Sequence, residues 1–269
     1  MKVTIMTYNV ERGFHTRDHN IEKKRLMAAQ QAVQKVNPDI LAITEACYGA
    51  ENSQGILMDY QKLFDFPYGK YGGYPTFGPR KGDEGGNCIL SKYPLDAENV
   101  KLLFKGAIRA RIGLEGIVLT IDVVHPSYSV DDYEKIKTLN PLISNRPSHY
   151  ILTGDFNTVH PDDKYNWDLL TEELTSFNPK KANQVIANWK QAGFISWLQK
   201  IGLDDSFPKS RRESTVPTNY AYGETRTGVR MDFFFHSQDI EAIDSYVLKD
   251  SNTEIASDHY PIVGIFKTK

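Results

Sequence analysis

The sequence predicts an α/β protein, and three observations predict it. Apolar runs that alternate every second residue are interleaved with segments whose apolar residues recur at helical spacing. With 269 residues, 40% hydrophobic and 25% charged, the chain has a globular composition and enough length to bury a core. No internal repeat, linker or low-complexity tract divides it, so one domain spanning 1–269 is expected.

Taken in order, "KVTIMTYNV" alternates as a strand. "EKKRLMAAQQAVQKV" places Leu26, Ala29, Val33 and Val36 on one helical face. Pro38 punctuates the passage into "PDILAITEA", a buried strand ending at Glu45. From about 48 to 87 the chain is rich in Gly and Tyr and reads as an ordered surface loop region. There Tyr68, Tyr71 and Tyr74 suit packing better than stacking on bases. "CILSKYP" is the next strand, and "AIRARIGLEGIVLTIDVVH" is a hairpin turning near Glu115–Gly116. A short helix, "DDYEKIKTLNPLI", precedes the apolar strand "HYILTGDFN". Residues 182–201 are helical, and "GVRMDFFFHS", "IDSYVL" and "DHYPIVGIF" are the late strands.

Composition also excludes. No apolar run approaches the roughly 20 residues of a membrane-spanning helix. The first ten residues alternate like a strand and lack a signal peptide's apolar core, so a cytoplasmic location is expected. Cys47 and Cys88 cannot make a disulfide framework and suit free thiols. The formal net charge of −2 leaves no general basic excess for nonspecific binding of nucleic acid. A phosphate ligand would need local cations, backbone groups or a metal.

One pattern recurs: strands that should end in a turn end in a carboxylate, amide or imidazole. Asn9 and Glu11 follow the first strand, Glu45 the second, His125 follows "LTIDVV", and Asp155 and Asn157 follow "YILTG". Asp232 lies in "RMDFFF", and Asp258 with His259 opens the last strand. If the strands lie in packed sheets, these ends meet at one edge. Like charges gathered there repel and raise one another's pKa, and a hard cation relieves the repulsion. Oxygen donors without a thiolate motif suit Mg²⁺, or Mn²⁺ as a substitute, better than Zn²⁺. The remaining groups fit the tasks of phosphate-ester cleavage, which are activating water, stabilising charge and protonating the leaving oxygen.

The segments "TYNVERG", "ITEA", "VVHPS", "GDFNTVHPDD", "GVRMDFFFHS" and "ASDHYP" occur in an order and spacing that resembles the endonuclease/exonuclease/phosphatase superfamily. This superfamily includes deoxyribonuclease-I-like nucleases, abasic endonucleases, sphingomyelinases and inositol polyphosphate 5-phosphatases. The resemblance runs from residue 3 to about 266. It implies a four-layer α/β sandwich, with two mixed sheets face to face and helices outside. It further implies that Glu45 is the principal metal ligand, with Asn9, Asp258 and Glu11 completing the metal environment. Asp155 would orient or deprotonate the attacking water, and Asn157 would hold it with the phosphate. His259 would bind or protonate the scissile phosphate, Asp232 would orient its ring, and His125 would add a phosphate or leaving-group contact. Arg109, Arg80 and Arg230 are candidate substrate-binding cations; His160 reads as a loop residue.

The resemblance specifies the reaction more closely than the substrate. Abasic endonucleases usually carry a Trp where Val229 stands, and the "PAWCDR"-type segment of the inositol phosphatases is absent. A nuclease or general phosphodiesterase acting on nucleic acid is expected, as a monomer. A lipid or small-molecule phosphatase is the alternative, and a binding module with lost chemistry is the remote one.

Overall fold

A computed structural model describes residues 1–16, 20–47, 59–73, 85–103, 105–128, 130–220 and 226–268. Its first strand, β1 (Lys2–Asn9), is central in a sheet and alternates faces. Val3 and Ile5 enter one apolar cluster, while Met6 and Tyr8 enter another. Helix α1 (Lys23–Val36) carries the chain over the Met6 side, and β2 (Ile40–Cys47) returns parallel to β1. Short helix α2 (Tyr60–Phe64), edge strand β3 (Tyr68–Gly73) and β4 (Gly85–Ser91) extend that side.

The second sheet starts with the meander β5 (Leu95–Lys101), β6 (Gly106–Leu114) and β7 (Ile117–Val124). Helix α3 (Asp132–Ser144) crosses to β8 (Tyr150–Asp155), which runs parallel to β7. Helices α4 (Trp167–Phe177), α5 (Pro179–Gln191) and α6 (Gly193–Lys200) lead to β9 (Leu203–Asp205) and then β10 (Asp232–Ser237). Strand β11 (Ile240–Val247), helix α7 (Thr253–Ala256) and β12 (Ile262–Thr268) return to the first sheet. The two mixed six-stranded sheets have the orders β11-β12-β1-β2-β4-β3 and β5-β6-β7-β8-β10-β9.

The sheets face each other over Ile5, Ile40, Ile108, Ile121, Phe234 and Phe266, each 1% exposed or less. Burying each such side chain contributes about 2–3 kcal/mol. On the outer faces, α1, α2 and α7 cover the first sheet, while α3 and α6 cover the second over Leu139, Leu198 and Phe233. This is the expected four-layer sandwich. Among the described residues no helix is long and apolar enough to cross a membrane.

Several local expectations are corrected. The buried face of α1 is Arg25, Ala28, Ala29, Ala32 and Val33, with Leu26 and Val36 at its margin. The 48–87 region contains α2 and β3 within its described part, since Tyr60, Phe64 and Phe66 have a core to enter. Tyr74 lies outside the described residues, as does Arg80. The 182–201 helix is two helices, broken at Ala192 with φ 45°. Strand β5 and helix α4 are elements the sequence pattern left unmarked, because β5 is an edge strand of polar composition and α4 buries Leu170 alone. Asp258 and His259 stand in a bend three residues before β12 rather than opening that strand.

Candidate active site

The site is built where inward-facing strand positions run off the ends of both sheets. On β1 the inward positions are Val3, Ile5, Thr7 and Asn9. Thr7 Oγ1 meets Thr153 Oγ1 of β8 at 2.6 Å across the sheet gap. Two residues further along both strands, Asn9 Nδ2 donates to Asp155 Oδ2 at 3.1 Å. In the same way Leu119, Ile121 and Val123 lead to His125, and Phe234 leads back to Asp232, which lies opposite Asp155 in the β8–β10 register. Asn87 spans the gap between sheets, donating to Gly106 O and Val123 O at 3.1 Å each.

Glu45 arrives differently. Ile40 and Ala42 point inward, so regular alternation would turn Glu45 toward the helices. A β-bulge intervenes: Ile43 pairs with Cys88 and Ala46 with Gly86, so Thr44 and Glu45 together oppose Asn87. Glu45 has φ 55°, and the extra residue swings its carboxylate into the gap. Asn9 Nδ2 then donates to its Oε1 at 3.3 Å and the Arg12 amide to its Oε2 at 3.2 Å. Gly154 permits the close approach of β7 and β8 at the site. Its φ is 141°, and a Cβ there would lie 1.8 Å from Val124 O.

Glu45, His125 and Asp155 each offer one ligand atom, and these atoms lie within 4.8 Å of one another. His125 Nε2 is 3.3 Å from Asp155 Oδ2 and 3.8 Å from Glu45 Oε1. On the other flank, His259 Nδ1 donates to Asp232 Oδ2 at 2.8 Å, and its Nε2 is 3.8 Å from Asp155 Oδ2. Asn157, with φ 48°, folds back so that its amide donates to Asp155 Oδ1 at 2.8 Å. Its Nδ2 donates to Pro126 O at 3.1 Å.

Burial raises the Asp155 pKa, but the His259 and His125 rings and the Asn157 amide outweigh it and hold the carboxyl below its usual range. The Glu45 carboxyl is also held low: burial opposes ionisation, while His125 and Lys105 favour it more strongly. Burial lowers the His259 pKa, yet Asp232, Asp258 and Asp155 together push it well above the ordinary imidazole value. Two carboxyls go the other way. Burial and the neighbouring Asp258 push Glu11 up to about 7, and burial, with Glu45 adding to it, pushes Asp258 up to about 6.

Other expected site residues stand elsewhere. Glu11 turns to Arg25, with Oε2 3.2 Å from Nη2, and lies beside rather than within the Glu45–His125–Asp155 group. Asp258 is likewise outside that group, and its Oδ1 accepts from Ser257 Oγ at 3.1 Å. Arg109 is corrected: it forks onto Asp122 at 2.9 and 2.7 Å and donates to Leu142 O, so its guanidinium serves the outer side of the second sheet. Arg230 is corrected too. It is 1% exposed and gripped by Asp163 at 2.8 Å and Asp205 at 2.7 Å. His160, read as a loop residue, is fully buried beside the same two aspartates.

Three contributors had no signal in the sequence pattern. Arg25, on the apolar face of α1, donates to Val10 O, Glu11 O and Ala256 O at 3.0, 3.1 and 2.9 Å, tying the Asn9 and Asp258 segments together. Lys135 donates to Asn157 O at 2.7 Å. Lys105, at the start of the β6 hairpin, is drawn electrostatically to Glu45 and Asp155. Only a polar residue on an apolar helix face could have drawn attention to Arg25.

The model of the Endonuclease/Exonuclease/phosphatase family matches residues 6–259. No curated protein sequence matches the chain. Solved structures similar to it include an AP endonuclease from Archaeoglobus fulgidus, with 17% identity, TM-score 0.68, and coverage of 99% of this chain and 100% of that one. An endonuclease/exonuclease/phosphatase from Beutenbergia cavernae is 16% identical with TM-score 0.66, over 99% of this chain and 72% of that one. D. rerio TDP2, complexed with a single-strand DNA product, is 16% identical with TM-score 0.63, over 99% of both chains.

Proposed function

The chain belongs to the endonuclease/exonuclease/phosphatase family, whose members are hydrolytic phosphoesterases, and from that premise we propose that it is a phosphodiester hydrolase using Mg²⁺ or Mn²⁺ and acting on DNA or RNA. The observation that carries the reading is the convergence of Glu45, His125 and Asp155 beside the His259–Asp232 pair. Two carboxylates and one imidazole form a donor set that suits a divalent ion, and the imidazole makes Mn²⁺ as acceptable as Mg²⁺. Bound there, a divalent ion would supply positive charge to the phosphate oxygens and ease ionisation of water.

The chain's own groups account for the remaining tasks. Asp155, ionised and oriented by the Asn157 amide, is suited to accept the proton of the attacking water at Oδ2. Asn157 Nδ2 donates to Asp155 Oδ2 at 3.3 Å and so helps to orient the carboxylate toward that water. His259, kept protonated by Asp232, would place its Nε2 proton on the scissile phosphate or the leaving oxygen.

The similar folds of an AP endonuclease and of TDP2 with single-strand DNA favour nucleic acid as substrate. A lipid or small-molecule phosphate ester is the second reading. The net charge of −2, and the engagement of Arg109 and Arg230 by aspartates, favour it by leaving fewer cations for a long polyanion. The test is hydrolysis of plasmid, single-stranded DNA, RNA, sphingomyelin and inositol phosphates with Mg²⁺, Mn²⁺ or EDTA. Nucleic acid cut only with metal is expected. Turnover that survives EDTA, or none on any phosphoester, would overturn the proposal, and intact nucleic acid beside a hydrolysed lipid or inositol phosphate would establish the second reading.

A further inference from the structure

The buried face of α3 carries a lysine. Lys135 is 2% exposed there, in line with Asp132, Thr138, Leu139, Leu142 and Ile143. Burying an ammonium costs several kcal/mol unless its partners offset the loss of water, and an apolar side chain in its place is often neutral or stabilising. Packing alone therefore gives no reason for a lysine at this position. Its paired carboxylate, Asp132, stands 3.6 Å away. Its short bond, at 2.7 Å, goes instead to a neutral group, the main-chain carbonyl of Asn157.

Asn157 needs such a tie. Its φ of 48° lies in the left-handed region, which costs a non-glycine residue energy and persists where the surroundings fix it. The Asn157 amide donates to Asp155 Oδ1 at 2.8 Å, and its Nδ2 donates to Pro126 O at 3.1 Å and to Asp155 Oδ2 at 3.3 Å. Asn157 thus orients both oxygens of Asp155, and Lys135 holds the carbonyl of the same residue. The tie continues into the outer layer. Asp132 Oδ1 accepts from Thr158 Oγ1 at 3.5 Å, and Asp132 Oδ2 accepts from the Phe194 amide of α6 at 3.1 Å. We propose that Lys135 is a positioning residue of the site: its ammonium fixes the turn at Asn157, and that turn sets the direction of the Asp155 carboxylate. The inference rests on the phosphoesterase reading of the cluster and adds to it a residue that acts from the helix layer, through Asn157.

Lys135→Met, Asp155→Ala and the double variant test it, on whichever phosphoester the protein turns over. Lys135→Met keeps an unbranched side chain for packing and loses the donor. Its kcat should fall about 10- to 100-fold, the scale of a reacting group displaced by up to 1 Å. KM should stay within about 2-fold of wild type, as when an interaction of the transition state alone is lost. Added to Asp155→Ala, whose residual turnover no longer uses that carboxylate, Lys135→Met should lower kcat no further. Crystals of wild type and Lys135→Met grown with Mg²⁺ should differ at Asn157, with φ outside the left-handed region or the bond to Asp155 Oδ1 lengthened. If Lys135→Met does not fold, Lys135→Gln, uncharged and one bond shorter than lysine, carries the same expectations. A kcat within about 2-fold of wild type, or a raised KM at unchanged kcat, would overturn the proposal. So would an equal fall in kcat on the Asp155→Ala background, which marks a general loosening, or an unchanged turn in the crystals. Absence of turnover on every phosphoester would count against the hydrolysis reading instead, and the crystal comparison would still decide the tie.

Discussion

His259 and Asp232 are the pair through which a single residue can be questioned most directly. Their 2.8 Å bond holds the ring and its charge together. His259→Ala should lower kcat by about 10²-fold or more on whichever phosphoester is turned over, the scale of an acid–base group. A kcat within a few-fold of wild type at saturating metal would remove His259 from the chemistry. Arg230 makes the opposite expectation at the same scale. Its guanidinium lies in a buried ionic group with Asp163 and Asp205, so Arg230→Met removes the closer of their two guanidinium partners and leaves them to Arg212, at 3.4 and 3.3 Å. A loss of about 3–5 kcal/mol in urea-unfolding free energy is expected. An unchanged denaturation midpoint would mean that the aspartates find compensation elsewhere. Asn9 and Asp155 were recognisable from their positions at strand ends, and His259 from the Asp-His pair that precedes the last apolar run. Arg109 and Arg230 were not recognisable as internal pairs, because a sequence names a charge without naming the charge that faces it.

At the scale of elements, the Glu45 bulge and the segment before β12 decide the geometry. The segment is anchored by Asp250. Burial raises its carboxyl pKa, but Lys35 at 2.7 Å and the amides of Thr253 and Asn252 outweigh that and hold it below the usual range. A depressed folded-state pKa contributes stability that is complete above the unfolded carboxyl value near 3.9 and is lost as pH falls through the lower, folded one. Asp250→Asn should therefore flatten the acid limb of a stability–pH curve below about pH 4 while leaving its slope near neutrality alone. Superimposable acid limbs for variant and wild type would refute the anchor. Strand β5 and helix α4 escaped the hydrophobic pattern for the same reason: each buries too little apolar surface to carry a periodic signal.

At the scale of the whole molecule, the two sheets depend on the apolar layer between them. Phe234 is fully buried there and packs edge-to-face on Phe266 at 5.4 Å, in line with the Asp232 that follows it toward the site. Phe234→Ala should cost about 3–5 kcal/mol of unfolding free energy, measured by denaturant titration. A loss below about 1 kcal/mol would mean that the layer closes over the gap. Because Thr7–Thr153 and Asn9–Asp155 span the same interface, slippage between sheets would separate the groups of the site from one another.

By itself the sequence determined the elements with strong periodicity, the strand ends at which polar residues stand, and the family motifs that order them. These are local properties, set by alternation along the chain and by the cost of ending an apolar strand in a carboxylate. Tertiary structure alone decided which ends meet. Face-to-face packing brought Asn9 to Asp155, an extra residue opposite Asn87 turned Glu45 inward against its parity, and internal aspartates claimed Arg109 and Arg230. Electrostatic and hydrogen-bond energies depend on distances between residues remote in the chain, and those distances exist only once the sheets are stacked.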